Sequence, residues 1–287
     1  MLVNGCDCSI VIKTAYRGMG VPYSGETIRE AVSLLQEQAA IEGNGSCGAI
    51  RIITGVTGCV ITPLTIGTAP LLLYLAFGSI GLPVFVSETR NIYQYHIDLV
   101  PMEGGAWFDL VQDRGGERRL FEGCRVKGFE LRFQRGEAVY LKLDVCGEIA
   151  PVVYPYSEIP ATEGRERFNS DFVTYRINGI EYENIYGITL SAKRGGGTKT
   201  ELWIKRALQQ GGDLPGIIEE LTITARLLTD KYEYRNFGTF RITLKKLVLI
   251  SDKTAIDCAD GVIGPLRYYV AGSVCSEVFT STGETIA

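Results

Sequence analysis

The chain has 287 residues, 46% of them hydrophobic, which is enough to bury a large core as one large domain or two modest ones. Its net charge of −4 argues against a protein that grips the phosphates of nucleic acids. The N-terminal stretch "MLVNGCDCSIVIK" lacks the basic region and the long apolar run of a secretory signal, so we expect synthesis in a cytosol.

Eight cysteines are spread along the chain, with no C-x-x-C pair and with one histidine, His96. This spacing makes a zinc site improbable, and we expect no bound metal and no cofactor. Several cysteines stand among apolar residues, which favours reduced core thiols over disulfides. The cysteines are Cys6, Cys8, Cys47, Cys59, Cys124, Cys146, Cys258 and Cys275.

Near the start of the chain, "SGETIREAVSLLQEQAAI" (residues 24–41) predicts a helix capped by Ser24, although its "VSLLQEQ" part fits a strand equally well. The run "GNGSCG" (residues 43–48) matches a dinucleotide-binding G-x-G-x-x-G pattern. It precedes a predicted strand instead of a helix, however, and no acidic residue follows until Glu88. We therefore interpret it as a hairpin loop.

The window from Ile52 to Ser87 contains no charged residue, and this window is long enough for a membrane-spanning helix. Eight prolines and glycines interrupt it, and no Lys/Arg cluster flanks it. We predict a buried strand in "TGCVITPLTI" with a turn at Thr62-Pro63. A short packed helix should follow, with Thr68 as N-cap, Pro70 in its first turn and Gly78 just past its end.

His96 lies in "IYQYHIDLV", which alternates like a strand, and we expect a structural role for it instead of that of a general base. Further along, "VKGFELRFQRGEAVYLKLDV" (residues 126–145) predicts a hairpin with one apolar and one polar face. Its apolar positions are Phe129, Leu131, Phe133, Val139, Leu141, Leu143 and Val145.

A similar hairpin follows 59 residues later in "IYGITLSAKRGGGTKTELWIKRAL", in which "KRGGGTKT" is a turn and not a phosphate-binding loop. The likeness is either a true internal duplication or a chance resemblance of short glycine-punctuated hairpins. Between the two hairpins lies a proline-rich stretch. We predict a β module over residues 1–150, a linker or domain edge over 151–172, and a second module or a continuation of the first over 173–287.

In the last third, "LPGIIEELTITARLL" (residues 214–228) predicts the start of a second helix. "TFRITLKKLVLI" predicts a strand whose inward-facing positions shift across Lys245-Lys246, which we interpret as a bulge. Asp257 and Asp260 are interpreted as turn residues instead of an acid pair. The chain is therefore predicted to be mainly β, a β-rich α+β fold with one or two short helices. It shows no pattern of nucleophile, base and oxyanion donor, so we expect no enzyme.

The order of these segments resembles the tail tube proteins of long-tailed bacteriophages. In that family a glycine-bearing hairpin, here "SLLQEQAAIEGNGSCGAIRIITGV", leads to a proline and then to a Leu-rich helix that ends in Gly, here "TAPLLLYLAFG". The next stretch, "DRGGERRLFEGCRVKGFELRFQRGEAVYLKLDVCG", is similar to the family's continuation, which has a charged loop, then "GC-V", a hairpin and a closing Gly. The stretches "FRITLKKLVLI" and "GPLRYYVAGSV" are similar to the family's C-terminal strands. The resemblance covers nearly the whole chain.

The resemblance implies a tail-tube-type β-sandwich or barrel-like module, in a structural virion protein made in the bacterial cytoplasm. Its partners would be itself, other tail proteins and transiently passing DNA, with no membrane. Homotrimeric rings would follow if the chain holds two modules and homohexameric rings if it holds one, and the rings would stack into a conduit for DNA ejection. Contacts between rings are expected from "FVSETRNIYQY" or residues 149–172. Alternatives are a distal-tail or baseplate ring, a secretion-system ring of the same fold, or a cytosolic enzyme. The candidate lumen-facing residues are Glu130, Arg132, Gln134, Tyr140, Lys142 and Asp144.

Overall fold

The structure is a computed structural model. It describes residues 8–15, 18–22, 25–36, 49–87, 91–115, 117–149, 152–153, 166–194, 199–207, 216–227, 238–250 and 262–281. In this part of the chain β-strands dominate, as predicted. The strands are β1 (Cys8–Lys13), β2 (Gly18–Val21), β3 (Gly25–Glu26), β4 (Arg29–Gln36), β5 (Ala49–Pro63), β6 (Gly78–Ile80), β7 (Val84–Ser87), β8 (Ile92–Leu99), β9 (Phe108–Arg114), β10 (Glu117–Gln134), β11 (Tyr140–Gly147), β12 (Val152–Val153), β13 (Val173–Ile177), β14 (Ile180–Glu181), β15 (Ile185–Lys193), β16 (Lys199–Ala207), β17 (Ile217–Arg226), β18 (Thr239–Ile250), β19 (Val262–Val270) and β20 (Val274–Thr280).

These strands pair antiparallel in two arms that meet at β18. The first arm runs in the order β4, β5, β11, β10, β15, β16, β19. The second runs β14, β13, β17, β18, β20, β8, β7. The end of β18 also pairs with β19, and the N-terminal part of β10 pairs with β9, which pairs with β1. Among the described residues these pairings never return to their starting strand. The sheet is therefore open, which corrects the barrel-like alternative.

One hydrophobic core lies between the two arms. The ring centroids of Phe133 on β10 and Phe240 on β18 are 6.1 Å apart, and Phe168 meets Phe240 edge-on at 4.8 Å. Strands from both sides of the predicted boundary at 151–172 contribute to this core. Within that stretch Val152–Val153 forms β12 and Phe168 is buried, whereas 154–165 lie outside the described residues. The division into modules stays a prediction.

The uncharged window contains the predicted strand and helix, and two strands that were not predicted, β6 and β7, follow them. Helix α1 spans Ala69–Phe77 and buries eight of its nine residues. Thr68 occupies the N-cap position, but its hydroxyl lies 2.9 Å from that of Thr65 and makes no capping bond. Gly78 ends the helix in the left-handed region (φ 102°), which glycine adopts without strain, and its N–H donates to Tyr74. The apolar composition of the window thus reflects a helix packed inside the protein.

Two predicted helices are wrong. Residues 24–41 contain β3 and β4, so the strand alternative for "VSLLQEQ" is the correct one, with Arg29–Gln36 paired along β5. Residues 214–228 contain β17, which is paired to β18 over nearly its whole length. The β-branched content of "IIEELTITAR" favours a strand, and pairing on both sides outweighs the helix-start signal at Leu214-Pro215.

The predicted phase shift in β18 is present, but no inserted residue causes it. Leu244 and Leu247 are both buried while Lys245 and Lys246 are exposed. The pairing of β18 with β17 keeps one register across this point, and Lys246 has a positive φ of 56°. Both strands therefore bend together, which corrects the interpretation as a bulge.

The repeated hairpins, β10–β11 and β15–β16, lie side by side around a local twofold axis. Leu131 pairs with Leu190, its own equivalent 59 residues later. The symmetry extends to the ends of the ladder: the Arg135 N–H donates to Tyr186 O at 3.0 Å, and the equivalent Arg194 N–H donates to Lys127 O at 2.7 Å. The sequence repeat thus corresponds to a structural repeat in which equivalent strands run in opposite directions.

The two glycines that head this repeat are required by the close approach of β10 and β15. A Cβ atom at Gly128 would lie 2.9 Å from Ala192 O, and one at Gly187 would lie 2.8 Å from Phe133 O. Both distances are shorter than a non-bonded contact allows. The two positions are equivalent under the twofold axis, so one steric requirement explains both glycines.

Candidate functional site

The six candidate lumen residues lie together on the solvent side of the first arm. Glu130 pairs with Lys142 and Arg132 pairs with Tyr140, while Gln134 and Asp144 occupy the flanking positions of β10 and β11. Their neighbours in sequence, such as Leu131 and Leu141, face the core with no exposed surface. The predicted alternation of the hairpin is therefore confirmed. Whether this surface lines a lumen stays a prediction.

The same surface continues across the neighbouring strands β15, β16 and β19. Arg132 pairs with Thr189, Thr189 with Trp203, and Trp203 with Arg267. The Arg267 guanidinium lies 3.2 Å from the centroid of the Trp203 ring, a cation–π contact. We call this surface the polar sheet face. It comprises Glu130, Arg132, Gln134, Tyr140, Lys142, Asp144, Thr189, Ser191, Glu201, Trp203, Arg267 and Tyr269.

Charges of both signs alternate on the polar sheet face. Lys142 Nζ lies 3.3 Å from Asp144 Oδ1, and an Arg132 nitrogen lies 3.6 Å from Glu137 Oε2. Partial burial lowers the pKa of Lys142, but Asp144, together with the smaller contributions of Cys59 and Glu130, raises that pKa above its ordinary value. Because these pairs are well exposed, each contributes at most about 1 kcal/mol to stability. The face is nearly neutral, with neither a basic stripe nor an acidic one.

This face contains a shallow depression of about 310 Å³ between β10, β15 and β16. Arg132, Gln134, Thr189, Trp203 and Tyr186 line it, and the missing side chain of Gly187 leaves it open. Among the side chains that the structure describes, no cluster of His, Cys, Asp or Glu has the size to hold a metal ion. The depression presents a surface for passing contact more than a pocket that encloses a ligand.

The other residues that sequence reasoning singled out are not brought to this face. His96 is half exposed on β8, with Nε2 3.2 Å from Asp98 Oδ1, as expected of a strand residue. Cys59, Cys124, Cys146 and Cys275 are free thiols, but the predicted core position holds for Cys124 alone, because the other three are only partly buried. Residues 43–48, Asp257, Asp260 and residues 195–198 of the predicted turn lie outside the described residues.

Sequence reasoning missed Arg194, which is 2% exposed behind the polar sheet face. Its guanidinium donates to four backbone carbonyls: Val100 at 3.0 Å, Leu75 and Pro101 at 3.2 Å, and Val126 at 3.3 Å. Burial lowers the pKa of this group, and Glu103 partly restores it. Since Leu75 lies in the last turn of α1, Arg194 supplies the positive charge that favours a helix C-terminus.

Glycines make room for the Arg194 side chain. A Cβ atom at Gly78 would lie 2.0 Å from the Arg194 guanidinium, and one at Gly105 would lie 2.2 Å from it. The signal in the sequence was weak because "KRGGG" reads as an ordinary turn. The site becomes visible only in the fold, where the end of β15 packs against α1 and the segment after β8.

In comparisons with known proteins, no family model and no curated protein matches this chain. No helix within the described ranges has both the length and the apolar character needed to cross a membrane.

Proposed function

We propose that this chain is a tail tube protein, whose copies close into rings that stack into a hollow conduit for DNA leaving a virion. The observation that carries the proposal is the open antiparallel sheet with one continuous polar face across β11, β10, β15, β16 and β19. Open sheet edges favour strand pairing between copies, and closure into a ring removes those edges. The segment order described above supports the same reading.

The charge pattern of the polar sheet face suits passage of DNA more than its retention. A protein that holds DNA uses clustered Lys and Arg to displace counterions from phosphates. Here the cations stand among carboxylates, as with Lys142 beside Asp144 and Arg132 beside Glu137. Such a surface offers no strong binding step, so a polyanion can slide along it.

The local twofold axis favours six copies in a ring over three. Neighbouring modules of a ring are related by rotation about the ring axis, which keeps the direction of equivalent strands. The twofold axis between the repeated hairpins reverses that direction, because Leu131 and Leu190 pair antiparallel. The repeat therefore does not supply two successive ring positions, and we expect one chain for each position.

Negative-stain electron microscopy of the purified protein over a rising concentration series tests the proposal, with mass photometry of the same samples. We expect rings with a central hole that stack into tubes, and a ring mass of six chains of 31.5 kDa. Rings of three chains would refute the argument from the twofold axis. Rings that never stack would favour a distal-tail or baseplate ring. A chain that forms no ring, alone or with tail extracts that nucleate assembly, would refute the proposal.

A further inference from the structure

Large apolar side chains are exposed along the edge strand β7. Leu82 is 79% exposed, Val84 62%, Phe85 43% and Val86 46%. Since successive residues of a strand point to opposite faces, three consecutive exposed residues mean that both faces of β7 are open. β7 pairs with β8 on one side, and no other described strand pairs with it. We call these four residues the hairpin patch.

The hairpin patch lacks the charged side chains that protect many edge strands, although β7 is short, follows Pro83 and shifts register against β8. Edges are normally blunted by charged side chains, above all lysine, which prevent pairing with other chains. The sequence holds no charged residue from Ile52 to Ser87. An exposed apolar edge without such charges is suited to contact with another protein surface.

A second group of exposed apolar residues lies on β12, just before β9 and just after β11, beside the N-terminal part of β10 with which β12 and β9 pair. It consists of Trp107 (55% exposed), Ile149 (47%), Val152 (48%) and Val153 (85%), and we call it the tryptophan patch. Trp107 and Ile149 are neighbours, because a Cβ atom at Gly123 would lie 3.8 Å from the first and 3.4 Å from the second. The Arg125 guanidinium covers one side of the Trp107 ring at 3.2 Å. Tryptophan and arginine are the residues that most often dominate binding energy at interfaces.

The two patches match in size and in chemistry. Because neighbouring strand residues point to opposite faces, Phe85 and Val152 do not share one contact with the other members of their patches. From the exposed fractions, the remaining three residues of each patch offer roughly 300 Å² of apolar surface, at the scale of the largest functional patches on monomers. Together they would bury about 600 Å² of apolar area. The smaller standard interfaces bury about 1,200 Å² in all, a little more than half of it apolar. One contact between the two patches therefore supplies the apolar area that a stable association needs.

We infer that the hairpin patch of one copy docks on the tryptophan patch of a second copy of this chain. β7 pairs with the first residues of β8, whereas Trp107 follows the segment that leaves the last residue of β8, Leu99. The patches thus lie toward opposite ends of that strand. A contact between two different surfaces is head-to-tail, so an open row of copies keeps one free patch of each kind, one at each end, until a ring closes. The inference rests on the proposed function and names the surfaces that join its copies.

Two double variants test this contact. V84D/V86D disables the hairpin patch, and W107A/V153D disables the tryptophan patch. I180D is the matched control, because Ile180 is 65% exposed on β14 and belongs to neither patch. Sedimentation velocity over a concentration series measures association, and thermal melting verifies that each variant is folded. We expect each double variant to weaken self-association at least about tenfold, with I180D like the wild type.

Mixing the two double variants gives the decisive result. V84D/V86D keeps an intact tryptophan patch and W107A/V153D keeps an intact hairpin patch, so the mixture should form dimers that do not grow. A mixture that stays monomeric, a W107A/V153D chain that dimerises alone, or a wild type that stays monomeric at every concentration would overturn the inference. Rings formed equally well by both double variants would also overturn it while leaving the tube function intact. Dimers in the mixture without any wild-type ring would support the contact between the two patches but refute the tube function.

Discussion

Replacing Arg194 by methionine should lower the free energy of unfolding by about 3–5 kcal/mol, at the upper end for a single substitution. Its guanidinium makes four hydrogen bonds to buried backbone carbonyls at 3.0–3.3 Å. Hydrogen bonds from a charged donor each contribute about 1.5–3 kcal/mol, and burying the cation offsets several kcal/mol of their sum. Methionine fills much of the volume but leaves all four carbonyls without this donor.

Urea unfolding followed by tryptophan fluorescence and circular dichroism measures this loss. Arg135→Met is the matched control, since Arg135 is the twofold equivalent of Arg194 but is exposed, and its replacement should cost less than about 0.5 kcal/mol. Arg194→Lys keeps the charge but has too few donors for four carbonyls, so the stability of this variant should lie between that of the wild type and that of Arg194→Met. An Arg194→Met variant within about 1 kcal/mol of the wild type would refute the idea that Arg194 fastens α1 to the sheet.

Three further outcomes are expected. Gly187→Ala should lower the free energy of unfolding in urea by about 1–3 kcal/mol, because its Cβ atom would meet Phe133 O. Gly216→Ala is the control, since no atom lies near the position of its Cβ, and it should not lower that free energy. Equal stabilities of the two variants would refute the steric argument. Burial raises the pKa of the Cys124 thiol to about 12, so wild-type stability should fall as pH rises above 9, when only the unfolded thiol ionises. The stability advantage of the wild type over Cys124→Ala should therefore narrow from pH 8 to pH 11, and a constant difference would contradict this. Lys142→Glu and Glu130→Lys should leave ring formation unchanged but alter the rate of DNA passage in an ejection assay; loss of folding in either would count against their exposed role.

Elements whose signals are local could be predicted from the sequence. The hairpin β10–β11 follows from strict alternation around Arg135-Gly136, and α1 follows from Thr68, Pro70 and Gly78. The predicted helix at β17 was wrong because the signal at its start was local, whereas the pairing with β13 and β18 that decides its conformation is not. Strand pairing between distant segments has no counterpart in a short window of sequence.

Features that depend on distant contacts stayed out of reach. Arg194 and the carbonyl of Leu75 are 119 residues apart in the chain, and no periodicity connects them. The repeat at an offset of 59 was visible, but the twofold relation was not, since sequence similarity carries no information on strand direction. The exposed edge strand β7 and the buried helix α1 both lie in the uncharged window and have the same apolar composition. The sequence therefore could not show which of them is exposed, because exposure depends on the whole fold.

The two proposals place stability, association and DNA passage in different parts of the molecule, and this separation is itself testable. Arg194 lies behind the sheet, the hairpin patch lies on the edge strand β7, and Lys142 lies on the polar sheet face. Substitutions at sites without shared partners usually add within about 0.5 kcal/mol. A chain with both Arg194→Met and V84D/V86D should thus lose stability as the first alone does and association as the second alone does. If Arg194→Met by itself abolished association in a chain that remains folded at the assay temperature, the fastening of α1 and the edge strand would form one coupled unit.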